Sequence, residues 1–186
     1  MKTFATQRLI LRDWNMDDLE ELHRLIYADV NVAHFYAGGV KGLDYVREML
    51  AHVIWLNEHE SDQGWACWAV ALKEDGRMVG RVNLGRPDRT YYHVLDPDDP
   101  YVPLDVEIGY AFGKAYWGKG YAFEACRAVI EYAFKELRIK RIVIGADLEN
   151  RRSIRLLERL GFTRGRNHHL DYPGYVNILE NDLTRP

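Results

Sequence analysis

From Arg8 to Arg12 the chain alternates and is rich in Leu and Ile, a two-residue period that predicts a first strand. Asn15 follows as a helix cap, with Asp17 and Asp18 in the first turn, where the helix dipole favours acids. Leu19, Leu22, Leu25 and Ile26 then recur at helical spacing. The segment from Asn31 to Gly39 carries aromatic residues, ends in two glycines and reads as a loop. A helical pattern resumes from Asp44 to Glu58 through Val46, Leu50, Val53, Ile54 and Leu56. Two strands, Trp65 to Leu72 and Met78 to Leu84, flank Glu74-Asp75-Gly76-Arg77, whose Asp-Gly pair signals a hairpin.

Pro87 to Pro103 is rich in proline, aspartate and tyrosine and reads as an irregular excursion, a functional flap or a decorative insert. Asp105 to Phe112 is a strand, and Gly118 to Leu137 starts glycine-rich before becoming a long amphipathic helix. Arg141 to Ala146 has strand length, Ser153 to Leu160 is helical, and Gly161 stops that helix before a strand opening at Phe162. Val176 to Leu183 is the last strand. This order predicts a mixed sheet with helices on its faces, α/β or α+β.

Length and composition narrow the picture. The 186 residues, with no internal repeat or linker, predict a single domain over 1–186 that needs no disulfide or structural metal. A net charge of −3 without a Lys/Arg run speaks against nucleic acid. Cys67 and Cys126 lie far apart in apolar settings, which argues for core thiols in a reducing compartment. The N-terminal residues lack a secretory pattern, and no stretch is long enough to span a bilayer, so a soluble cytoplasmic protein is expected. The seven histidines form no metal-spaced set, and no metal is expected.

The segment from Val106 to Ala125 reads strand, short loop, glycine-rich turn, helix. Gly118 and Gly120 let the backbone approach a ligand, and the helix start presents N–H groups pointing one way. Such an arrangement grips phosphate through backbone amides. A P-loop is excluded because Gly120 follows Lys119 where Ser or Thr must hold magnesium. A dinucleotide fingerprint is excluded by Phe123, which stands where a third small residue belongs.

Trp117-Gly118-Lys119-Gly120-Tyr121-Ala122 resembles the acetyl-CoA pyrophosphate loop of the GNAT acetyltransferase superfamily, Arg/Gln-x-x-Gly-x-Gly/Ala, and especially its RimJ/RimL-like branch. Trp117 departs from the superfamily's Arg or Gln and matches a tryptophan common in the branch. The run from Asn150 through Ser153 to Gly161-Phe162 is similar to the family's Asn-x-x-Ser…Gly-Phe pattern, and Thr6 to Arg12 to the branch's opening strand. The likeness covers 107–162 and 6–30 and thins between 31 and 104.

That resemblance implies a mostly antiparallel GNAT-like sheet flanked by helices, with acetyl-CoA as co-substrate and a primary amine as acceptor. In this family the amine attacks the thioester directly, so neither cysteine is needed as a nucleophile. The family implies Gly118, Lys119, Gly120, Tyr121 and Ala122 for the pyrophosphate, with Trp117, Ile108 and Gly109 beside them. Asn150 is implied for the pantetheine arm, or as a capping asparagine. Glu107, an acid in an apolar run, is either the general base acting through water or a strand glutamate in a structural ion pair. Ser153 is either the acid that protonates the departing thiolate or a helix cap. Lys114, Lys119, Arg151 and Arg152 are candidates for the 3′-phosphate or ordinary surface charge.

Phe35, Tyr36, Trp68 and Tyr92, with Trp65, Tyr91 and His93, are candidate walls for the acceptor. Freeing a lysine amine at pH 7 costs about 3 kcal/mol more than freeing an α-amine, so one modest base suits a protein N-terminus or a small amine. The branch suggests a homodimer. A non-catalytic acyl-CoA-binding module and a bare scaffold are the alternatives from other classes.

Overall fold

The computed structural model describes residues 2–59, 66–86, 105–164 and 174–181. They fall into two compact units, Met1–Leu84 with Gly109–Ala128, and Gly85–Ile108 with Val129–Pro186. The described strands, β1 (Phe4–Ala5), β2 (Leu9–Arg12), β3 (Ala66–Leu72), β4 (Met78–Gly85), β5 (Val106–Phe112), β6 (Arg141–Asp147), β7 (Thr163–Arg164) and β8 (Gly174–Glu180), are hydrogen-bonded in the order β1-β2-β3-β4-β5-β6-β8-β7. Of the described pairings whose register is defined, all are antiparallel except β5 with β6.

The first unit holds β1 (Phe4–Ala5), β2 (Leu9–Arg12), β3 (Ala66–Leu72), β4 (Met78–Gly85) up to Leu84, and the second half of β5 (Val106–Phe112). The Asp-Gly hairpin forms as expected and sets Trp68 opposite Val82 and Ala69 opposite Arg81. Strand β2 ends at Arg12 opposite Ala69, which leaves the backbone of Cys67 without that partner. Buried Asn57 supplies one, donating to the Cys67 carbonyl at 2.8 Å and accepting from its N–H at 3.0 Å. An unpaired buried backbone group would otherwise cost about 1–3 kcal/mol.

Helices of this unit are α1 (Leu19–Leu22), α2 (Val30–Ala37) and α3 (Leu43–His59). A 3-10 turn, Met16–Asp18, precedes α1, and a π turn, His23–Tyr27, continues it. Leu25, Ile26 and Tyr27, consecutive in the π turn, all point into the core with Leu22, Val46, Leu50 and Val53. The loop expected from Asn31 to Gly39 is instead mostly helix. Asp29 caps it by accepting from the Asn31 N–H at 2.8 Å, and Gly38 ends it at φ 66°. Val32 and Ala33 are buried, and Tyr36 and Ala37, one turn on, pack against the same core, a short stripe of barely two turns.

The second unit holds the first half of β5, β6 (Arg141–Asp147), β7 (Thr163–Arg164) and β8 (Gly174–Glu180), with α5 (Arg151–Arg159). Helix α4 (Tyr121–Lys135) contributes to both units and provides the crossover that parallel β5 and β6 require. Buried Asp105 receives Arg141 bidentately, at 2.5 and 2.8 Å. Asn181 reaches the carbonyls of Phe134 and Ile139 where α4 ends.

Candidate active site

Strand β5 ends at Phe112, and the chain turns once through Lys114–Tyr116 before extending at Trp117. The Trp117 indole N–H donates to the Phe112 carbonyl at 2.7 Å, tying the loop back to the strand. Gly118 and Gly120 follow at φ 75° and 81°, the left-handed region where a side chain is strained. A Cβ at Gly118 would stand in open space, so backbone alone faces outward there. Helix α4 begins at Tyr121, and its first N–H groups have no acceptor within the helix. A glycine turn opening a helix in this way suits a diphosphate.

The N-terminal strand holds this loop. Glu124, in the first turn of α4, accepts from the Thr6 hydroxyl at 2.5 Å, from the Arg8 N–H at 2.7 Å and from Arg8 Nε at 2.7 Å. Arg8 Nη1 also donates to the Lys119 carbonyl at 2.9 Å, and its guanidinium lies 4.6 Å from the centre of the Tyr121 ring. Partial burial works to raise the Glu124 carboxyl. Hydrogen bonds from Thr6 and Arg8, and the charge of Arg8, outweigh it and hold the carboxyl below its usual range. Thr6 and Arg8 entered the sequence reading only as part of a strand, and Glu124 not at all. The spacing of the pair, 116 positions, leaves no local signal.

Within the second unit, Glu107 sits on β5 opposite Val143 of β6 and is half-buried. Asn150 is the N-cap of α5, accepting from the Ser153 N–H at 3.1 Å. The capping position expected of Ser153 therefore belongs to Asn150, and Ser153 lies in the first turn. Ile108 is buried and Gly109 half-buried on β5, the latter in the first unit.

Among the acceptor candidates, Phe35 and Tyr36 ride on the last turn of α2, Phe35 exposed and Tyr36 half-buried. Trp68 is fully buried, 5.4 Å from Phe4, with its N–H on the Lys2 carbonyl. Tyr92, Trp65, Tyr91, His93 and the 87–103 segment lie outside the described residues. Cys67 and Cys126 are buried and unpaired with each other, and burial raises the Cys126 thiol far above its usual value. No helix among the described residues is long and apolar enough to cross a membrane, and none of their side-chain clusters could hold a metal ion.

A family model described as an acetyltransferase (GNAT) domain matches residues 8–163. Uncharacterized protein YkkB of Bacillus subtilis is 30% identical over 157 residues, 84% of this chain and 83% of that protein. The [ribosomal protein uS5]-alanine N-acetyltransferase of Escherichia coli is 42% identical over 91 residues, 49% of this chain and 41% of that protein. A crystal structure of a GNAT-family acetyltransferase from Bacillus anthracis superposes with a TM-score of 0.76 at 23% identity, covering 97% of this chain and 99% of that one.

Proposed function

The chain belongs to the GNAT acetyltransferase family, and we propose that its acceptor is the α-amine of a protein N-terminus or a small molecule. Transfer of an acetyl group from acetyl-CoA to an amine is the reaction itself. The observation that carries the reading is the left-handed Gly118–Gly120 turn at the start of α4, held by Arg8 and Glu124.

The loop's backbone N–H groups from Gly118 to Ala122 are assigned to the pyrophosphate of acetyl-CoA, which brings the thioester to be broken. Trp117 holds the loop's entry, and Ile108 and Gly109 form the strand beside the acyl arm. Asn150 accepts through Oδ1 in its cap, so its amide N–H₂ is the group proposed to meet the pantetheine. Glu107, through water, takes a proton from the acceptor's ammonium so that the neutral amine can attack, a task that calls for a base near neutrality. The Ser153 hydroxyl gives a proton to the departing thiolate. The new amide bond forms as the carbon–sulfur bond breaks; the first nitrogen proton leaves through Glu107, and the second, shed after attack, restores the one that Ser153 gives to sulfur.

Phe35 and Tyr36 are proposed to line the acceptor's path, with Tyr92 as a further candidate and Trp68 backing from the core. The α-amine preference rests on its lower pKa, about 7.7–8 against 10.4 for lysine. The name of the Escherichia coli relative supports protein N-termini as one acceptor class. A cytoplasmic enzyme, one catalytic domain over 1–186 and a homodimer complete the proposal. Thiol release from acetyl-CoA against a panel of N-terminal peptides and small amines tests it, and silence across the whole panel would overturn it.

A further inference from the structure

Among the described residues two arginines are buried, and they are treated differently. Arg141 meets the carboxylate of Asp105 through two hydrogen bonds, the usual arrangement for a guanidinium removed from water. Arg81, on β4 and 5% exposed, meets no carboxylate among the described residues. Its Nη1 donates to the Tyr27 hydroxyl at 3.1 Å and lies 3.7 Å from the Met49 sulfur, and its Nη2 lies 3.0 Å from the Cys67 sulfur. Its Nε is buried with no acceptor among the described residues. The Tyr36 ring covers the guanidinium, with the centroid 5.3 Å from Cζ. Burial raises the hydroxyls of both Tyr27 and Tyr36, so neither ionises to balance the charge near neutral pH.

A buried cation that lacks its anion is stabilised by whatever supplies one. We propose that Arg81 is the floor of an acceptor subsite that takes the carboxylate of a small amino acid whose amine is acetylated. This deepens the proposed function and rests on it. A planar carboxylate matches the guanidinium fork, whereas a phosphate dianion would call for a second buried cation, and none is in contact with Arg81 among the described residues.

The surroundings fit a short acid with an apolar body. Tyr27 and Tyr36 stand 6.0 Å apart, centroid to centroid, and Tyr45 stands 6.3 Å from Tyr27. Phe35, Val40 and Tyr45 are large apolar side chains left exposed on α2, α3 and the turn between them. Tyr36 is the half-buried cover, and it belongs to a helix that ends immediately at Gly38 and Gly39, with φ of 66° and 124°.

The test compares free L-phenylalanine, L-leucine and L-methionine with their amides, in two arms. In the first, thermal stability is titrated with each compound alone. The acids should stabilise the wild-type protein at a concentration lower than the amides by roughly tenfold or more, because even one of the fork's two charge-assisted hydrogen bonds is worth about that factor. Arg81→Met should abolish the difference and leave acetyl-CoA affinity unchanged. In the second, run at a pH above the α-amine pKa of acid and amide alike, thiol release should show a KM for the acids about tenfold below that for the amides. Equal behaviour of acids and amides in the wild-type protein overturns the Arg81 subsite, whether or not the variant folds. Absence of thiol release with every amine, acids and amides included, overturns acetyl transfer to amino acids even if the first arm succeeds. Success in the first arm would then keep the anion site alone.

Discussion

Glu124 holds three hydrogen bonds from the N-terminal strand, and so couples the first strand to the first turn of α4. Glu124→Gln should therefore weaken acetyl-CoA binding several-fold without touching any reacting atom, and isothermal titration measures it. Arg8→Ala should do the same and also lose the tie to the Lys119 carbonyl. Glu107 belongs to a different test. Glu107→Gln should lower kcat by about a hundredfold or more, the usual worth of a general base, with acetyl-CoA affinity retained. An unchanged kcat would remove Glu107 from the mechanism. At this scale the sequence singled out Glu107, Asn150 and the loop glycines because each sits in a short motif. It was silent on Arg81, whose interest lies in what it lacks, and on Glu124, whose partners are more than a hundred positions away.

Among elements, the ones with a clear period were legible from the chain. The Asp-Gly hairpin, the α3 stripe and β6 lie within a residue or two of where their patterns put them. Helix α2 was not, because its core-facing stripe is short and its aromatic residues and closing glycines imitate a loop. Its stop at Gly38 is one of the two glycines that made the segment read as a loop, and its apolar stripe spans barely two turns. The π turn at His23–Tyr27 likewise has no pattern of its own, since the leucines fit either winding. Helix α5 allows its cap and its proposed ligand role to be separated. Asn150→Ala should cost about 1 kcal/mol of stability through loss of the N-cap, seen in chemical denaturation. Asn150→Asp keeps an equally good cap but no amide N–H₂. If the amide meets the pantetheine, the aspartate variant should keep wild-type stability while KM for acetyl-CoA rises.

For the whole molecule, the depressed Glu124 carboxyl sets a pH dependence with a definite sign. A carboxyl lowered in the folded state adds stability that is present above its unfolded value and is lost as pH falls through the folded one. The difference in melting temperature between wild type and Glu124→Gln should therefore be steady near neutrality and shrink towards zero in the acid range. A constant difference down to strong acid would mean that the Thr6–Arg8–Glu124 contact holds nothing in solution. The account depends most on acetyl-CoA being held by the Gly118–Ala122 loop. The direct test is the melting temperature of the wild-type protein and of Gly120→Ala, whose residue stands at φ 81°, titrated with acetyl-CoA. The account predicts saturable stabilisation of the wild type and a marked loss of it in the variant. No stabilisation of the wild type at saturating acetyl-CoA, or the same affinity in both proteins, would contradict it.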